Sequence, residues 1–119
     1  VSVPFTIPVV HGGLSEAQGT VWLAPEHLQL RVQVRALHLW DQKPLTIKVS
    51  PEALREFRLK RSLMGKDTLI IRPHTPDLLA HLPGRHTACA ELKVERRYRA
   101  EAEALAADVR DWAHLHLYE

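Results

Sequence analysis

Leu28-Gln29-Leu30-Arg31-Val32-Gln33-Val34-Arg35 alternates without a break. Leu28, Leu30, Val32 and Val34 fall on one side of an extended chain, and Gln29, Arg31, Gln33 and Arg35 on the other. A period of two with one polar side marks a half-buried antiparallel strand. From Arg96 onward the period changes. Tyr98, Ala102, Leu105, Ala106, Val109, Trp112 and Ala113 recur at helical spacing. No strong breaker lies between Arg96 and Ala113, so one amphipathic helix of about five turns is expected there. Arg97 with Glu101 and Arg99 with Glu103 are expected as outward i,i+4 pairs, and His114–Glu119 as a fraying tail.

Working outward from the central strand, the same period of two recurs. In residues 1–10, Val1, Val3, Phe5, Ile7 and Val9 alternate with Ser2, Pro4, Thr6 and Pro8. Proline donates no ladder hydrogen bond, so this is an edge strand or a bulged one. His11-Gly12-Gly13 marks a turn, and Gly19 opens a second run, Thr20–Ala24. Past Ala36 the apolar phase slips to Leu37 and Leu39, as a bulge would cause, before a loop at Trp40–Pro44. Leu45, Ile47 and Val49 make a fourth strand. Ser50-Pro51-Glu52 has a cap residue, a proline at the first helical position and an acid, predicting a single turn. Phe57 and Leu59 alternate with Glu56, Arg58 and Lys60 in a fifth strand. Met64-Gly65-Lys66-Asp67 reads as a hairpin turn and Thr68–Arg72 as a sixth strand. Thr75-Pro76-Asp77 predicts a short helix over 76–82, stopped by Pro83-Gly84. Ala88, Ala90, Leu92 and Val94 alternate with Cys89, Glu91, Lys93 and Glu95 in a seventh strand.

The chain has 119 residues, 45% apolar and 25% charged. That is one domain's worth, with an ordinary globular balance, and neither a disordered composition nor a membrane-length apolar run. One cysteine, Cys89, excludes a disulfide framework and a multi-cysteine zinc module. A lone thiol and no secretory signal suit a reducing cytoplasm, although a chain starting at Val1 is also compatible with a removed leader. The net charge of +2 is unevenly spread. Residues 1–26 and 73–119 each carry −2, whereas 27–72 hold ten basic and four acidic side chains. A basic block between two acidic ones attracts anionic partners.

Seven short strands and one terminal helix, without repeats or linkers, exclude parallel βαβ units. A mainly β fold follows: an antiparallel barrel capped by the C-terminal helix, in a single domain over 1–119. The stretch Leu45-Thr-Ile-Lys-Val-Ser-Pro-Glu-Ala-Leu, then Phe57-Arg-Leu-Lys, then Gly65-Lys-Asp-Thr-Leu-Ile-Ile-Arg72 resembles the middle of bacterial pleckstrin-homology-like domains. The resemblance covers about residues 19–113. It implies a seven-stranded antiparallel barrel stoppered by the helix, with Trp112 packed on the barrel. Lipid-binding members carry basic residues in the loop between the first two strands. Here His11–Gln18 holds no Lys or Arg, which argues against a phosphoinositide headgroup at that place.

Assembled catalytic chemistry is not legible. His11-Gly12-Gly13 lacks the Gly-x-Ser-x-Gly elbow that an esterase would need, and no phosphate-binding glycine loop is present. His74, His81, His86 and Cys89 lie within 16 residues, but their spacing matches no zinc finger. No cofactor, metal or enzymatic activity is expected. By alternation, Arg31, Arg35, Lys48, Arg58, Lys60 and Arg72 point away from the core. If strands three to six are sequential neighbours, these residues form one continuous stripe. Trp40, with Lys43 beside it, either folds back onto the barrel or projects as a docking tip.

The expected function is a non-catalytic binding module whose basic face (Arg31, Arg35, Lys48, Arg58, Lys60 and Arg72, with Trp40 and Lys43) contacts an acidic protein or an anionic membrane surface. Nucleic acid is disfavoured, because stacking aromatics are absent from that face. The alternative is assembly into homo-oligomers by β-edge pairing through residues 1–10. A small enzyme or metal-binding protein is the third reading.

Overall fold

The computed structural model describes residues 2–10, 15–36, 44–74 and 89–117. Seven strands form one antiparallel sheet: β1 (Ser2–Val10), β2 (Ser15–Leu23), β3 (Leu28–Ala36), β4 (Leu45–Val49), β5 (Leu54–Lys60), β6 (Asp67–Pro73) and β7 (Ala90–Val94). One helix follows, α1 (Arg99–Leu117), entered through a 3-10 turn at Arg96–Tyr98. The mainly β fold class with a C-terminal helical cap is the one the alternating pattern predicts.

The strand order is β4-β3-β2-β1-β7-β6-β5. The chain thus builds two meanders, β1–β4 and β5–β7, and joins them where β1 meets β7. The first three residues predicted to face inward on β3, Leu28, Leu30 and Val32, are buried. They pack with Val3, Phe5 and Ile7 of β1, Leu69 and Ile71 of β6, and Leu92 and Val94 of β7. Ala102, Leu105, Val109 and Trp112 bury one stripe of α1 in the same core. The helix packs on β5 and on the 3-10 turn Pro51–Ala53 that links β4 to β5, and reaches β1 and β2. Trp112 fills its place with an aromatic body and a satisfied donor: its Nε1–H donates to the Pro25 carbonyl at 3.2 Å.

Several boundaries differ from the sequence reading, each for a physical reason. β1 is not an edge. It pairs with β2 from Ser2 to Ile7 and with β7 at Thr6↔Lys93. Pro4 and Pro8 flank Thr6 and donate no ladder bonds, which keeps the β1–β7 seam short. A register shift lies between Ile7 and Val10, so the strand is the bulged one of the two alternatives. Among the described residues the sheet's edges are β4 and β5, so β1 does not supply a free edge. β2 starts at Ser15, ahead of Gly19, which lies inside the strand. A Cβ on Gly19 would stand 1.9 Å from the Arg31 carbonyl oxygen, so β3 crosses there at a distance only glycine admits. β5 begins at Leu54, and its register shifts between Leu54 and Glu56, letting Leu54 and Phe57 both turn inward.

Ser50 caps the Pro51 turn through its carbonyl, which accepts from the Ala53 N–H at 3.1 Å, and not through its hydroxyl. α1 continues to Leu117, past the expected fraying point at His114. The slip at Leu37 and Leu39, the His11-Gly12-Gly13 turn and the helix expected over 76–82 lie outside the described residues.

Candidate docking site

The β5–β6 hairpin is held at its base by an ion pair. Asp67, the first residue of β6, shares its face with Leu69 and Ile71 and has no exposed surface. A carboxylate in that position needs compensation. Arg99, at the start of α1, supplies it with Nε to Oδ2 at 2.7 Å and Nη2 to Oδ1 at 2.8 Å, a bidentate grip. The Ser62 N–H donates to Asp67 Oδ1 at 2.9 Å, and Arg99 Nη2 also donates to the Ser62 carbonyl at 3.1 Å. The Arg99 hydrogen bond, helped by the Ser62 N–H and opposed by burial, lowers the Asp67 pKa from 3.8 to about 2. The same contact raises that of Arg99. At the apex the Ser62 hydroxyl donates to the Met64 carbonyl, and Gly65 turns the chain at φ 87°.

The outer face is organised in rows set by register. One row runs Lys60, Thr68, Lys93, Thr6, Gln18, Gln33 across six strands. Lys93 Nζ donates to Thr68 Oγ1 at 3.0 Å, and Lys66 Nζ reaches Thr6 Oγ1 at 3.4 Å. Lys60, Arg61, Ser62, Lys66, Thr68, Glu91 and Lys93 enclose a hollow of 260 Å³. Four cations therefore line it against one carboxylate, and one of the four, Arg61, pairs with Glu103. Thr68 is only 8% exposed, screened by these long side chains. A second, 390 Å³ depression lies on the other side of Lys93, bounded by Thr6, Gln18, Arg31, Arg97 and Tyr98. There the Arg97 guanidinium sits 4.9 Å from the centre of the Tyr98 ring and pairs with Glu95 at 2.7 Å. Lys93 is the wall shared by the two depressions.

The structure divides the predicted basic stripe. Arg31 and Lys48 are exposed on β3 and β4, and Arg31 lines the larger depression. Arg58, Lys60 and Arg72 lie on β5 and β6. Among the described residues β4 and β5 do not pair, so strands three to six are not sequential neighbours and the stripe is interrupted. Arg58 pairs with Glu56, and Arg72 lies 3.9 Å from the same carboxylate, which weakens both as attractors. Lys60 is the member of that group that lines the basic hollow. The Arg35 side chain, Trp40 and Lys43 lie outside the described residues.

The helix pairs differ as well. Arg97 turns to Glu95, Arg99 to Asp67, and Glu103 to Arg61. The sequence pattern does not mark Lys66 and Lys93, because one falls in a turn and the other is one polar position among many. Asp67 was legible in principle: it keeps the parity of Leu69 and Ile71, so an extended chain turns it inward.

His74 is exposed and Cys89 half-buried, while His81 and His86 lie outside the described residues. Among the described residues no group of three or more His, Cys, Asp or Glu is placed to hold a metal. No helix there is long and apolar enough to cross a membrane. No family model, curated protein or solved structure matches the chain.

Proposed function

We propose that the protein is a non-catalytic interaction module, a pleckstrin-homology-like domain that docks on an anionic surface, acidic protein or membrane, through the outer face around Lys93. The observation that carries this reading is the grouping of Lys60, Lys66 and Lys93 around Thr68 on the sheet, with no ion-pair partner for these three among the described residues. Like charges repel, and holding three ammonium groups together is unfavourable unless a counter-charge arrives. The pleckstrin-homology-like part is supported by the two meanders of four and three strands followed by a helix, and by Trp112 packed in the core.

The test is binding of a fluorescent polyglutamate probe by anisotropy across a salt series. Affinity falls as ionic strength rises, because exposed charges lose their reach once the Debye length drops below about 10 Å. Salt-independent binding rejects the reading, and absence of binding removes the acidic protein and leaves the membrane as the anionic surface. The K60E/K66E variant reverses two cations at exposed positions and abolishes most of the attraction while leaving the fold in place.

A further inference from the structure

We infer that the apex of the β5–β6 hairpin enters the interface of an anionic phospholipid bilayer, with the surrounding lysines bound to the lipid phosphates. Leu63 is 95% exposed and Met64 86%, side by side at the tip of the hairpin. Two large aliphatic side chains in water at one convex point carry a standing hydration cost. Lys60, Arg61 and Lys66 flank them in the chain, and Lys93 completes the cationic collar beneath.

An apolar tip above a ring of cations complements an anionic membrane in depth. The aliphatic groups reach the acyl boundary as the ammonium groups meet the headgroup layer. A protein partner would need a matching socket for a projecting tip, whereas a fluid interface needs none. The hairpin is also stiff at its base, where Asp67, Arg99 and Ser62 are cross-linked by four hydrogen bonds. Little ordering is lost when it enters the interface.

This inference rests on the basic-face reading and adds one partner and one insertion device to it. The experiment is co-sedimentation of the protein with phosphatidylcholine vesicles, with and without phosphatidylserine, beside the polyglutamate assay. Wild type is expected to sediment with the anionic vesicles and not with phosphatidylcholine alone. L63S/M64S should lose about tenfold or more in vesicle affinity with polyglutamate binding and melting temperature unchanged. K60E/K66E should weaken vesicle binding by at least about fivefold per lysine. Vesicle binding without polyglutamate binding supports the inference and removes the acidic protein. Polyglutamate binding without vesicle binding, or vesicle binding indifferent to L63S/M64S, overturns the inference and leaves the basic-face reading standing. Equal binding to both vesicle types removes the collar's role and overturns it too. Binding to neither probe overturns both.

Discussion

Arg99, at the start of α1, grips Asp67, the first residue of β6, through two hydrogen bonds of 2.7 and 2.8 Å. The contact joins α1 to the β5–β6 hairpin. Removing either partner leaves the other without its counter-charge, and the cost falls most heavily on the fully buried Asp67. D67A and R99A should each lower the denaturation midpoint, and the double variant by less than the sum of the two. Additive effects in that cycle, read by urea unfolding, would show that the pair is not coupled. R97A, which removes a surface pair with Glu95, should shift the midpoint little.

The same pair gives a pH dependence of defined sign. Asp67 is depressed from 3.8 to about 2 in the folded chain. Between those values the unfolded chain binds more protons than the folded one, so stability rises with pH there. The contribution is complete above about pH 4 and is lost as pH falls toward about 2. D67N should therefore flatten the acid limb of a stability-against-pH curve in this window. An acid limb unchanged by D67N would assign it to other carboxylates.

Gly19 and Gly65 should respond oppositely in cause and unequally in size to alanine. At Gly19 the added methyl meets the Arg31 backbone oxygen at 1.9 Å, and neither strand can move without unpairing. G19A should cost about 3 kcal/mol or more, in the range of overpacking with backbone displacement. At Gly65 nothing lies within 4 Å, so the only penalty is the positive φ, about 1 kcal/mol. Thermal melts of the two variants check the ranking.

Trp112 separates packing from polar satisfaction. W112F keeps most of the buried aromatic volume but leaves the Pro25 carbonyl without its donor, at about 1 kcal/mol. W112A empties the site and should cost about 3–5 kcal/mol. Near-equal losses would mean that the hydrogen bond, and not the ring, fixes the helix.

The divided basic face predicts unequal roles for residues of the same charge. K93E alters the wall common to both depressions and should weaken polyglutamate binding more than R72E, since Arg72 already shares Glu56 with Arg58. Equal effects would restore a single uniform basic surface.

Period and punctuation made most of the architecture legible. Leu28 to Val32 named the inner face of β3, and the change of period after Arg96 named the helix and its buried stripe. Strand neighbours were not legible. Alternation states which side a residue faces, but not which strand lies beside it, so a stripe from Arg31 and Lys48 to Arg58 and Lys60 depends on β4 and β5 being neighbours, and among the described residues they do not pair. At β1 the prolines leave an edge strand and a bulged one both open, because a missing N–H can be accommodated at a bulge or a short seam as well as at an edge. The docking site was half-visible. Lys60 was found by parity, while Lys66 and Lys93 belong to it only because the register of β5, β6, β7 and β1 brings them to one hollow.

The meeting of β1 and β7 at Thr6↔Lys93 has a mechanical consequence. A junction so narrow is a poor carrier of shear between the two meanders, so α1 acts as the strut that keeps them in fixed relation. Anything that loosens the rod's hold on β5 or on β1 would let the halves swing apart along that line before either half melts. Amides of β1 facing β7 would then trade deuterium sooner than those facing β2.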